Sequence, residues 1–369
     1  MHRVHPTHLP HSRIHLSARP LNTQYSAPAS GRWPATGSWQ LAAPMTSFVT
    51  GGSGFVGGAV VRHLVGSGIN VRGLARSEAA AASVIRNGGT PVMGDLSDEK
   101  ALRSGMSGCD IIYHVAGVNT MCSGDPAVMY RVNVDLVRAV VRAAADTGVR
   151  RIVLTSSAAA IGEPAGVVAN ERTPHSGRFL SHYARSKYLG ERAFFDEATR
   201  RGIQAVAVNP SSVQGPGRAD GSALLLRYAI GMRRPAVIDT TLSIVDIGDT
   251  ARAHLGAAIR GRPGHRYLIS GASVGIREAV AMLGEAADRL IDPIVLPRWA
   301  GKAAYPVAAA AGLIGGDQPI CVEMLRTLLH GHRFDVSKSV NELGIAYTPL
   351  DDTLERTVRW LIEEDFVQL

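Results

Sequence analysis

A short apolar strand, Thr46–Thr50, runs directly into Gly51-Gly52-Ser53-Gly54-Phe55-Val56-Gly57, and a helix opens behind it. Val56, Val60 and Leu64 recur in that helix at i, i+4 and i+8, and it stops at Gly66-Ser67-Gly68. A strand that turns into a helix over three glycines, inside a unit of about 30 residues, opens a βαβ crossover. The GxxGxxG spacing alone says little in a chain with 40 glycines among 369 residues. Its place between strand and helix gives it meaning. Gly51 permits the tight turn, Gly54 lets backbone approach a pyrophosphate, and Gly57 lets helix and strand pack closely. Phosphates would sit on the helix N-terminus, where unpaired N–H groups and the macrodipole favour anions. The expected phosphate cradle is therefore Gly51, Ser53, Gly54, Phe55, Val56 and Gly57.

The alternation continues with strand 69–75, helix 78–86, strand 91–94, a short helix after Ser97 and strand 110–115. A long helix 125–146, strand 151–155, helix 181–201 and strand 203–208 follow. Links of three to six residues between strands and helices predict an α/β fold, a Rossmann-type doubly wound parallel sheet with right-handed crossovers. Beyond Pro210 the pattern loosens. Residues 45–212 and 243–270 are read as the dinucleotide-binding domain, with 266–270 a last strand returning to the sheet. Residues 213–242 and 271–369 are read as a smaller C-terminal substrate lobe, with Gly215-Pro216-Gly217 turning the chain into it. Asp246 and Asp249 are expected only to cap a helix beginning near Thr250.

Residues 1–44 hold five His, six Pro, four Arg and no acid, without any apolar periodicity. They are expected to be a disordered extension outside the natural fold, which would start at Met45. The histidines are too irregularly spaced to predict a metal site. The tail carries half of the formal charge of +8, and the remainder intersperses both signs, so nucleic-acid binding is not expected. Cys109, Cys122 and Cys321 form no ligand spacing and read as reduced, unpaired thiols of a cytoplasmic protein, with neither disulfide nor metal. No uncharged apolar run of about 20 residues exists, so no transmembrane segment is expected. The partner in view is a small-molecule substrate, with a homodimer left open.

The end of the second strand bears on which dinucleotide binds. An NAD site usually places Asp or Glu there for the ribose 2′-OH. This strand ends Leu74-Ala75-Arg76-Ser77 with no carboxylate, and a guanidinium pairs with a 2′-phosphate, so NADP is favoured over NAD. Asp95 and Leu96 close the third strand and Ala116 and Gly117 the fourth, both at ends where a cofactor must lie.

Tyr183-Ala184-Arg185-Ser186-Lys187 puts Tyr and Lys at i, i+4 on one helix face. With nine Tyr and four Lys in the chain, about 0.1 such pairs are expected by chance. A nearby ammonium and a cationic nicotinamide are both expected to lower the phenol pKa, letting Tyr183 exchange a proton with a carbonyl or alcohol oxygen.

At this point the chain resembles the extended short-chain dehydrogenase/reductases, also called the NAD-dependent epimerase/dehydratase family. The resemblance rests on Thr50-Gly-Gly-Ser-Gly-Phe-Val-Gly57, Asp95-Leu96, Tyr113-His-Val-Ala-Gly117, Asn133-Val134, Thr155-Ser-Ser157, Tyr183xxxLys187 and Asn209-Pro210. It covers about residues 45–369. It is closest to dihydroflavonol 4-reductase-like and 3β-hydroxysteroid dehydrogenase-like members and to the hopanoid-associated sugar epimerases. Phe334-Asp335-Val-Ser-Lys338 with Glu342-Leu-Gly344 is similar to a tail motif of those relatives.

The resemblance implies a catalytic trio of Ser157, Tyr183 and Lys187, with Ser157 preferred to Ser156 for standing five residues before Gly162. It implies that Lys187 also holds the nicotinamide ribose, that Asn209, Pro210 and Ser211 line the nicotinamide, and that Asn133 braces the site. His114 reads as a packed strand-end residue. The leading expectation is an NAD(P)-dependent oxidoreductase interconverting a carbonyl and a secondary alcohol on a flavonoid-, steroid- or sugar-like substrate. The alternatives are an NAD-dependent sugar-nucleotide epimerase and a non-catalytic dinucleotide-binding regulator. Family dehydratases carry Asp-Glu after the threonine, where this chain has Ser156-Ser157, so dehydration is disfavoured.

Overall fold

The computed structural model describes residues 45–122, 125–306, 308–309 and 321–368. The expected extension 1–44 lies outside the described residues.

Seven strands form the main sheet: β1 Thr46–Thr50, β2 Asn70–Ala75, β3 Thr90–Met93, β4 Ile111–His114, β5 Arg151–Thr155, β6 Gln204–Pro210 and β7 Arg266–Ile269. Their order is β3-β2-β1-β4-β5-β6-β7, and every pairing is parallel. The chain winds outward from β1 to β3, crosses back to β4 and winds the other way, as the strand–helix alternation predicts.

Side chains alternate across this sheet with period two, and both faces are buried. Val49, Tyr113, Val153, Val206 and Val208 enter one core with helices Phe55–Gly66 and Ile247–Arg260. Phe48, Ile112, Ile152, Leu154, Ala205 and Ala207 enter the other, beneath helices Leu136–Asp146 and His182–Arg201. Small residues bring helices close to the sheet: a Cβ on Gly105 would lie 2.3 Å from the Phe48 ring.

The helix expected over 125–146 is interrupted. It runs Pro126–Tyr130, passes through a π-helical turn at Arg131–Asp135, and resumes at Leu136–Asp146. Apolar periodicity does not register the extra residue such a turn inserts. The helix placed near Thr250 begins at Ile247, capped by Asp246, whose Oδ1 accepts from Gly248 N at 2.7 Å. Asp249 is not a cap: buried, it accepts from the backbone N and hydroxyl of Thr348, each at 2.8 Å.

After β6 the chain builds a three-stranded sheet, Ser212–Gln214, Thr241–Asp246 and Ala272–Gly275. Helices Ala223–Gly231, Ile276–Ala286 and Leu350–Glu363 share a core of Leu226, Ile230, Val280, Leu283, Leu354 and Val358. The segment between them returns to the main sheet. Leu343 and Ile345 join the first core, Lys338 Nζ donates to Arg266 O at 2.7 Å, and Tyr267 Oη donates to Glu342 at 2.7 Å. The Phe334–Gly344 motif thus fastens the C-terminal segment onto β7.

Two of the three thiols depart from the sequence expectation. Cys122 and Cys321, 199 residues apart, form a disulfide with Cα atoms 5.7 Å apart, while Cys109 is free and buried. Sequence spacing cannot show neighbours that only the fold brings together. The argument for a reducing compartment therefore loses its premise at two of three cysteines. Among the described residues no helix is long and apolar enough to cross a membrane.

Candidate active site

The predicted site residues gather at the carboxyl ends of the parallel strands: on the loops, at the last residues of β6 and in the first turns of two helices. Gly51 has φ +73°, and a Cβ there would stand 2.7 Å from Ala116 N. A Cβ on Gly57 would stand 1.9 Å from Gly51 O, so helix and turn could not close. Gly54 is exposed, with a φ open to any residue, so its lack of a side chain serves the space above the loop. Helix Phe55–Gly66 has no side-chain N-cap and no acid in its first turn, which leaves its leading N–H groups for an anion. Phe55 and Val56 pack inward against the core. The loop is pinned from outside: Ser83 Oγ donates to Ser53 O and Asn87 Nδ2 to Gly52 O, both at 3.3 Å. These residues fit the pyrophosphate of a dinucleotide.

Arg76, just past β2, is exposed and makes no hydrogen bond or ion pair with another described residue; Ser77 beside it caps the next helix. Asp95 is exposed too. Hydrogen bonds from the Ser97 hydroxyl (2.6 Å) and backbone (2.7 Å) hold its carboxyl below the usual range. Leu96 packs on the second core, and Ala116 N donates to Thr50 Oγ1 at 3.3 Å. A Cβ on Gly117 would lie 3.5 Å from Lys187 Nζ, which puts the β4 loop against the lysine.

Tyr183 and Lys187 sit one turn apart on helix His182–Arg201, capped at its start by Ser181 and ended by Gly202 in the left-handed region. Ser157 caps a single 3₁₀ turn after β5, and its hydroxyl faces the Tyr183 phenol. The phenol pKa is raised, not lowered: burial dominates, opposed by the Ser157 contact and the Arg218 charge. The sequence reading invoked an ammonium together with a cationic nicotinamide; among the protein's own groups, removal from solvent outweighs the charges nearby. Burial also pushes the Lys187 ammonium down to about 8, against the Glu191 charge; its Nζ donates to Thr155 O at 2.8 Å.

Buried polar side chains hold this trio in place. Asn209, fully buried, donates through Nδ2 to Ser157 O (3.0 Å) and to Glu191 Oε2 (2.6 Å). Its amide nitrogen therefore braces the serine from beneath, while Pro210 is buried and the Ser211 hydroxyl has no partner among the described residues. Arg266 closes the bracket on Glu191 at 3.2 Å. Asn133, on the π-turn, accepts from Val118 N (2.9 Å) and donates to Val118 O (2.8 Å) and Ser186 Oγ (2.9 Å). It couples the β4 loop to the tyrosine–lysine helix, and Gly190 makes room, since a Cβ there would meet Asn133 O at 1.9 Å. His114, buried against Thr50 Oγ1 at 2.7 Å, is pushed by burial down to about 3 and stays a neutral packing residue.

Two residues escaped the sequence reading. Glu191 continues the Tyr183–Lys187 face at i+8, a spacing that could have exposed it. Arg218 gave no signal in an Arg-rich chain. It lies 5.9 Å from the Phe55 ring centroid, with Gly217 (φ +107°) also against that ring, and its charge acts on the phenol.

Residues 47–270 match the NAD dependent epimerase/dehydratase family. The chain is 30% identical over 332 residues to the "Putative dihydroflavonol 4-reductase" of Synechocystis sp., covering 87% of this chain and 96% of that protein. It is 30% identical over 289 residues to the "UDP-glucose 4-epimerase" of Streptomyces lividans, covering 71% and 87%. Among solved structures, that of gox2253 superposes with a TM-score of 0.77 at 29% identity, covering 88% of this chain and 99% of that one.

Proposed function

The chain belongs to the NAD dependent epimerase/dehydratase family, and from that premise we propose that it is an NADP(H)-using oxidoreductase interconverting a carbonyl and a secondary alcohol on a small organic molecule. The reading rests on one observation above all: Tyr183 and Lys187 stand one turn apart on one helix, with the Ser157 hydroxyl facing the phenol and the lysine against the β4 loop beside the glycine turn. The bound nicotinamide supplies or accepts the hydride. Tyr183 Oη gives its proton to the substrate carbonyl oxygen, or takes one from the alcohol. Ser157 Oγ hydrogen-bonds the same oxygen and fixes its distance from the phenol. Lys187 retains two N–H donors beyond its bond to Thr155 O, and these suit the ribose hydroxyls. Arg76, exposed at the end of β2 without a carboxylate beside it, supports the 2′-phosphate and hence NADP.

The 30% identity to an epimerase supports a second reading, sugar-nucleotide epimerisation with a retained NAD. Purified protein incubated with NADPH and a panel of ketones and aldehydes separates the two. Carbonyl-dependent NADPH oxidation is expected. Stoichiometric NAD released only on denaturation, without NADPH turnover, would replace the reductase by the epimerase. Binding of cofactor without turnover of any substrate would leave a regulator.

A further inference from the structure

We infer that the protein carries a zinc-type metal site outside the catalytic trio, formed by Glu163, His330 and His332. One donor atom from each lies within 4.8 Å of the others. His332 Nδ1 is 2.6 Å from Glu163 Oε1, and His330 Nε2 is 3.7 Å from the same oxygen. The carboxylate side chain is 2% exposed and the two histidines 21% and 11%. A Glu163–His332 hydrogen bond would by itself satisfy that pair, but it leaves His330 unexplained. Its Nε2 is buried, too far from the carboxylate for a hydrogen bond, and without a hydrogen-bond partner among the described residues. A buried ring nitrogen aimed at an ionised carboxylate and a second imidazole has the geometry of a ligand.

The backbone already holds the donors in place. Gly331, with φ +66°, turns the chain between the two histidines and lies against Thr240. His332 N donates to Thr241 O at 3.2 Å, and Ser243 Oγ donates to His332 O at 2.7 Å. The next residues, Arg333–Phe334, pair with Val168–Ala169, five residues beyond Glu163. Two imidazoles with one carboxylate select zinc or its neighbours over magnesium and calcium, which take oxygen ligands. On binding, the cation replaces the proton shared between His332 Nδ1 and Glu163 and draws in His330 Nε2. Three protein ligands leave a fourth position for water or another oxygen ligand. The site would cross-link the loop that follows Ser157 to the C-terminal segment. The sequence could not suggest it, because Glu163 and His332 are 169 residues apart.

The full-length chain, stripped with chelator, is titrated with Zn²⁺ by calorimetry as wild type and as Glu163→Gln, His330→Ala and His332→Ala. Histidines of residues 1–44 are common to all four, so the comparison reads the proposed site alone. Wild type should take one more equivalent than each variant, or bind that equivalent at least about tenfold more tightly. Co²⁺ should give wild type a four-coordinate visible absorption band that the variants lose. His330→Ala removes no hydrogen bond and keeps the test alive if Glu163→Gln fails to fold. Equal stoichiometry and affinity in wild type and His330→Ala, or the same Co²⁺ spectrum, would overturn the site. Metal binding is read without turnover, so this outcome is independent of the reductase reading.

Discussion

Replacing Lys187 by Met should stabilise the protein near pH 7 while abolishing its activity. Burial brings the ammonium from an ordinary 10.5 to about 8. At 1.36 kcal/mol for each pH unit of that gap, the native state carries about 3 kcal/mol of cost for keeping the lysine charged at neutral pH. Methionine fills similar volume without charge, but it removes the donor to Thr155 O, and an unpaired buried carbonyl costs about 1–2 kcal/mol. The net gain at pH 7 is therefore about 1–2 kcal/mol. The sign reverses with pH. Between about 8 and 10.5 the unfolded chain holds the lysine proton while the native state has released it, so wild-type stability rises with pH relative to the variant. By pH 10 most of the advantage should be gone or inverted. Urea unfolding of both proteins without cofactor, at pH 7 and pH 10, measures the difference, and other titrations cancel in the comparison. A wild-type-minus-variant difference that is the same at both pH values would refute the claim that burial of this ammonium is a stability cost accepted for function.

Tyr183→Phe should lower kcat by roughly 10²–10⁴-fold with dinucleotide affinity nearly unchanged; retention of more than a tenth of wild-type kcat would assign the proton to another group. Arg76→Asp should weaken NADP binding by about tenfold or more, with NAD unaffected or improved and the effect shrinking as salt rises. Fluorescence titration of both cofactors checks it, and an unchanged NADP/NAD ratio would remove the basis for NADP. Asn133→Ala breaks three hydrogen bonds joining the β4 loop to the Tyr183–Lys187 helix, and should cost about 2–3 kcal/mol in urea unfolding and raise the KM for cofactor. A loss below 0.5 kcal/mol with KM unchanged would make Asn133 a bystander.

Strand–helix alternation from Met45 to Pro210 was enough to specify the parallel sheet, because each strand is a short apolar run and each crossover helix repeats every three or four residues. The glycine turn and the Tyr183–Lys187 pair were equally legible, since their function depends on near neighbours along the chain. Ser157 emerged from family resemblance, and the structure adds its contact with the phenol. What stayed hidden depends on side chains meeting across large sequence separations. The Glu191–Arg266 bracket beneath Asn209, the placing of Arg218 over Phe55, the Cys122–Cys321 link and the Glu163–His330–His332 cluster are all of this kind. So is the upward push on the Tyr183 pKa: it comes from the way the fold removes the phenol from water, and residue spacing carries no record of that. Periodicity and local motifs encode which surfaces must be buried. Which polar groups end up beside one another inside is settled only when the helices and the C-terminal segment close over the sheet.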